Sequence, residues 1–93
     1  MRTPFRKGVR VVIANDMMMI AGRVTDPKYD LGEGKWGVWV MIHPQPQFDD
    51  FVRDTGQFQC EVDVCHAHGV FKGYTGPSKP EPDGSMEVFV VPQ

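Results

Sequence analysis

Hydrophobic and polar residues alternate along most of this chain, with the two-residue period of β-strands. In V-R-V-V-I-A, residues 9–14, Val9, Val11 and Ile13 share one face; Asn15-Asp16 then supplies a turn, because both residues tolerate left-handed backbone angles. A second strand returns over 18–25 with Met18, Ile20, Gly22 and Val24 on one side, and methionines 17 to 19 are expected as core filler at this hairpin. Residues 26–35 have the composition of a loop. W-G-V-W-V-M-I, residues 36–42, gives the clearest strand: Trp36, Val38, Val40 and Ile42 share one face, Trp39, Met41 and His43 the other. Both faces are apolar, which a strand around a single core does not need. A helix, a ligand or another subunit is therefore expected to cover the Trp39 face.

A short helix is predicted over 46–55. Pro46 suits a first helical position, Asp49 and Asp50 suit the positive N-terminal end, and Gly56 provides a stop. Phe48, Phe51 and Val52 form an apolar stripe at i, i+3 and i+4, which makes this helix the nearest cover for Trp39 and Met41; the alternative is an oligomer contact. Residues 57–71 read as one long strand, with Phe58, Cys60, Val62, Val64, His66, His68 and Val70 on one face and Cys65 on the other. The next stretch, 72–85, contains three prolines and three glycines and reads as a loop of polyproline type. A last strand, M-E-V-F-V-V-P, closes the chain at 86–92.

Composition agrees with this pattern. The chain is 41% hydrophobic and 24% charged, and its 10 Gly and 8 Pro favour short strands joined by turns over long helices. The expectation is a single domain, 1–93, that is all-β: 4–6 mostly antiparallel strands closed into a small barrel or half-barrel, with one short helix near 46–55. Lys7-Gly8-Val9, the Val9/Val11/Ile13 alternation and Gly22-Arg23-Val24 sharpen this. Over residues 7–25 they resemble the KOW-type opening hairpin of ribosomal proteins and transcription elongation factors, a group of SH3-like barrels. The resemblance implies an SH3-like fold and carries no functional residue, since Asn15, Asp16 and the methionines stand where that family has inner glycines.

The net charge of −2 argues against nucleic acid as the main partner. The charge is uneven, however: Arg2, Arg6, Lys7 and Arg10 precede any acid, whereas Asp49, Asp50, Asp54, Glu61 and Asp63 cluster near the middle. The basic arm is a candidate for phosphate contact. Cys60 and Cys65, five residues apart on one extended strand, lie about 16 Å from each other, beyond disulfide reach. Free thiols suit a reducing cytoplasm, and no segment is apolar enough for a membrane span.

Candidate chemistry is confined to D-V-C-H-A-H-G, residues 63–69. His66 and His68, at i and i+2 on a strand, point the same way and can hold two corners of a metal site, while Cys65 faces away. His43 is the one other histidine able to complete such a site. The pair resembles the His-x-His metal motif of cupins, but Lys72 stands where that family has a glutamate. The bland alternative is that both histidines continue the apolar stripe to the barrel rim. No serine stands in a nucleophile motif and no phosphate loop follows a strand, so no catalytic residue and no cofactor is expected. The leading expectation is a non-catalytic module that self-associates or docks a protein partner through Trp39, Met41, Phe48 and Phe51. A histidine-dependent metal protein or enzyme is the alternative.

Overall fold

The computed structural model describes residues 5–16, 19–28, 36–55, 61–67 and 69–92. Seven elements follow in order: β1 Arg10–Ala14, β2 Met19–Lys28, β3 Gly37–Ile42, α1 Phe48–Thr55, β4 Glu61–His66, β5 Gly69–Pro80 and β6 Met86–Pro92. The strands close into a barrel of order β1-β2-β3-β6-β5-β4 with every neighbouring pair antiparallel. Two three-strand meanders are thus joined through α1, and the return of β4 beside β1 gives a Greek-key order, 4-1-2-3. At the level of a small closed antiparallel barrel this is compatible with the SH3-like fold.

The interior is filled by one side of each strand. Val11 and Ile13, Ile20 and Val24, Val38, Val40 and Ile42, Val62 and Val64, and Val88 and Val90 are all buried. β-branched side chains dominate because their restricted rotamers pack well on a pleated surface. Each end has its own plug. Phe51 of α1 enters the core at the end where β3 leaves and β4 begins, with 1% of its surface exposed. Phe5 enters at the other end and is wholly buried against Trp36, Phe71 and His66.

Several expectations need correction. The single strand over 57–71 is instead a hairpin: β4 ends at His66, the chain turns at Ala67, and β5 departs from Gly69. Gly69 has φ +141°, a backbone angle that β-carbon-bearing residues rarely adopt. Val70 therefore does not continue the inward stripe and is exposed. The expected loop over 72–85 is mostly strand, because β5 runs to Pro80 and only 81–85 form the turn into β6. Pro77 is tolerated because the β5–β6 register breaks between Thr75 and Ser78, and Pro80 is the last residue of the strand. β2 extends to Lys28 past a bulge at Thr25, three residues beyond the sequence expectation. Met19 is not core filler; it is 67% exposed. Arg2, Met17, Met18, residues 29–35, Gly56 to Cys60 and His68 lie outside the described residues.

Candidate docking surface

The outer side of β3 carries the apolar residues that the inner core does not use. Trp39 faces Phe89 directly in the β3–β6 register, and their ring centroids lie 5.0 Å apart. The Phe89 ring reaches over Gly37, where an added β-carbon would sit 2.5 Å from its Cζ. Lys79, on β5, places Nζ 4.3 Å from the centre of the Trp39 ring, a cation–π contact. Thr25, in the β2 bulge, donates its hydroxyl to Trp39 O at 3.4 Å and lies 3.5 Å from Glu87 Oε2. Trp39 is half-buried by these neighbours.

The predicted helix does not cover this face. Phe51 turns into the core, so it is unavailable to a partner, and Phe48 packs half-buried against the same cluster. The apolar edge of this eight-residue helix, Phe48 and Phe51, packs into the open barrel end. The cover for Trp39 comes from Phe89 and Lys79, neighbours that only the strand order reveals.

Beside Trp39 the surface dips. Met41 is half-buried in the floor of a hollow of about 560 Å³, with Arg23, Thr25, His43 and Gln45 around it. Gln45 closes one side by an unexpected device. β3 ends at Ile42, and beyond Arg23 no β3 backbone is registered against β2. Gln45 Nε2 donates to Ala21 O at 2.9 Å, and Ala21 N–H donates back to Gln45 Oε1 at 3.1 Å. Two residues on, Gln47 Oε1 accepts from Met19 N–H at 3.3 Å. The alternate side chains of Q-P-Q thus answer alternate residues of β2, doing with amides what a longer β3 does with backbone. Gln47 adopts φ +70° to do so, a left-handed angle uncommon for this residue type.

His43 and His66 lie at opposite ends of the barrel. His66 lies at the Phe5 end, its ring 4.7 Å from Phe5 in an edge-on arrangement and 6.4 Å from Phe71. His43 follows the last residue of β3 at the opposite end, exposed, and its charge is felt by Asp83. Among the described residues no three His, Cys, Asp or Glu side chains gather to hold an ion. With its ring against Phe5 and Phe71, His66 lies at the rim of the apolar stripe, and Cys65 lies on the outer side with a half-exposed free thiol. Of the basic arm, Arg6, Lys7 and Arg10 are exposed.

At the His43 end, the Glu81–Ser85 turn is tied by Asp83. Its Oδ1 accepts from the Ser85 hydroxyl and from Ser85 N–H, the latter at 2.9 Å. These two bonds, the hydroxyl's first, hold the Asp83 carboxyl below the usual carboxylate range, and the positive charge of His43 adds to the effect.

Two aromatic rings, a cation and a shallow hollow thus lie together on this outer face. Sequence pattern found Trp39 and Met41 but missed Phe89, Lys79 and Gln45, whose roles depend on strands distant along the chain. Among the described residues no helix is long and apolar enough to cross a membrane. Comparison of the chain with protein-family models, with characterised proteins and with solved structures finds no match.

Proposed function

We propose that this protein is a small non-catalytic binding module that self-associates, or docks another protein, through the outer face of β2, β3 and β6. The observation that carries this reading is the Trp39–Phe89 pair, held on the outside of strands whose inner side already fills the core. Aromatic residues with an adjacent hollow are the usual anchors of protein interfaces, since they bring large rigid area at low entropic cost. Lys79 and Glu87 flank the pair on β5 and β6 and supply a polar rim. The free thiol of Cys65 supports a reducing compartment such as the cytoplasm as its place of work.

Sedimentation equilibrium in about 1 M salt, where the Debye length is about 3 Å, isolates apolar contacts from charge-driven ones. The wild type is expected to associate under these conditions and Trp39→Lys to remain folded and monomeric. A wild type that stays strictly monomeric at high protein concentration, with a folded and equally monomeric Trp39→Lys, removes self-association through this face.

A further inference from the structure

Antiparallel pairing fixes which end of the barrel each segment reaches. The Asn15-Asp16 turn, α1, the start of β4 and the 81–85 turn meet at one end. The 5–9 segment, the start of β1, the Ala67 turn and the start of β5 meet at the other. The runs of acid and base that the sequence separates along the chain are thereby separated in space.

The first end is acidic: Asp16, Asp49, Asp50, Glu61 and Asp83 are all exposed there. Of the cations near it, Arg53 pairs with Asp50 at 2.8 Å and Lys79 lies over the Trp39 ring, while Lys72, exposed beside Asp16, Glu61 and Asp63, leaves the acids in excess. Among the described residues the second end is basic. Arg6 and Lys7 are exposed in the segment whose Gly8 N–H bonds Val24 O, and Arg10 stands directly opposite Arg23 across β1 and β2. Among the described residues none of these four cations forms an ion pair. Like charges directly opposite across a strand pair repel, so Arg10 and Arg23 gain from any anionic neighbour. Each end also carries an exposed apolar side chain, Met19 at 67% beside the acids and Val70 at 62% beside the bases.

We propose that copies of this chain associate head to tail, the basic end of one barrel receiving the acidic end of the next. The opposed charges orient the encounter and reject the two like-end pairings, while Met19 and Val70 supply the apolar contact between the ends. This joint uses the ends of the barrel, with Arg6, Lys7 and Arg10 as its cations; Arg23, which also borders the hollow beside Trp39, is not needed for it. Because it joins two different surfaces, it is heterologous and propagates into rings or open strings, not closed pairs. A nucleic acid would engage the basic end alone and has no use for an acidic end.

Sedimentation velocity of the full chain at low ionic strength tests this joint. The wild type is expected to form species that grow with concentration and dissolve as salt is added. Arg6→Glu, Lys7→Glu and Arg10→Glu together make both ends acidic, and Asp16→Lys, Asp49→Lys and Glu61→Lys together make both ends basic; each triple variant alone is expected to associate about tenfold or more weakly. Mixed in equal amounts, the two variants are expected to associate again, a rescue that no loss of folding can imitate. Met19→Ser with Val70→Ser, which leaves every charge in place, is expected to weaken the joint, and Trp39→Lys to leave it intact. The proposal is overturned by a wild type that is monomeric at low salt, by a mixture that fails to associate, or by association that only Trp39→Lys removes. Binding of a single-stranded oligonucleotide at the basic end without self-association also overturns it.

Discussion

The side-chain amide of Gln45 takes both backbone polar groups of Ala21, donating to its carbonyl at 2.9 Å and accepting from its N–H at 3.1 Å. A side chain here completes a sheet that the main chain leaves short. Each net bond of this kind contributes about 0.5–1.5 kcal/mol, so Gln45→Ala is expected to lower stability by about 1–2 kcal/mol in urea titration. The slope of that titration is expected to stay the same, because the surface exposed on unfolding hardly changes. Hydrogen exchange at the Ala21 amide should quicken in the variant more than exchange at Ile13, whose strand pairs on both sides.

Phe89 occupies the space that Gly37 leaves, with its Cζ 2.5 Å from where a β-carbon would stand. Gly37→Ala therefore forces the ring away from Trp39 and is expected to cost about 1–3 kcal/mol. On a Phe89→Ala background the same substitution meets no ring, and its cost is expected to fall sharply. A double-mutant cycle by chemical denaturation measures this coupling. Additive costs in the cycle would show that the ring does not depend on Gly37.

How much of this was legible in the sequence differs by element. The stripes of β1, β3 and β6 and the short helix appear as residue periodicity, because one face of each is buried and the other is not. The β4–β5 turn was hidden, since His66, Ala67 and Gly69 carry neither the Asn-Gly nor the Pro signals of a hairpin. β5 was hidden for the opposite reason: Gly76, Pro77 and Pro80 signal a loop, yet pairing of 69–74 with β4 and of 73–75 and 78–80 with β6 carries the strand past them. At the candidate site, Trp39 was legible from its own strand. Its partners Phe89 and Lys79 follow from a strand order that joins β3 to β6, and no local pattern encodes that order.

Phe5 closes the barrel end opposite the helix, packed 5.8 Å from Trp36, 5.3 Å from Phe71 and 4.7 Å from His66 between ring centres. Phe5→Ala removes a wholly buried ring and is expected to cost about 3–5 kcal/mol by thermal or chemical unfolding. Trp36 loses an apolar neighbour in the same change, so its fluorescence is expected to shift to the red before global unfolding. Phe5→Leu, which keeps most of the apolar volume, is expected to recover much of the loss. Equal losses for the two variants would show that Phe5 does not act by filling space.

Asp83 links the stability of the β5–β6 turn to pH. Its carboxyl is held below the ordinary range by the Ser85 hydroxyl and Ser85 N–H, with His43 assisting, so the folded chain prefers the ionised form. A depressed folded value means that the unfolded chain binds the proton first as pH falls. The stabilising contribution is therefore complete above the ordinary carboxylate value, and it is lost as pH falls through the lower folded value. Asp83→Asn keeps an acceptor oxygen and removes the charge. Its melting temperature is expected to lie below that of the wild type at neutral pH and to approach it on acidification, because the protonated aspartic acid then resembles the amide. The exposed position of Asp83 and screening by salt keep the difference small. A melting-temperature gap that stays constant from neutral to acidic pH would mean that the turn is held by shape alone, with the charge of Asp83 contributing nothing.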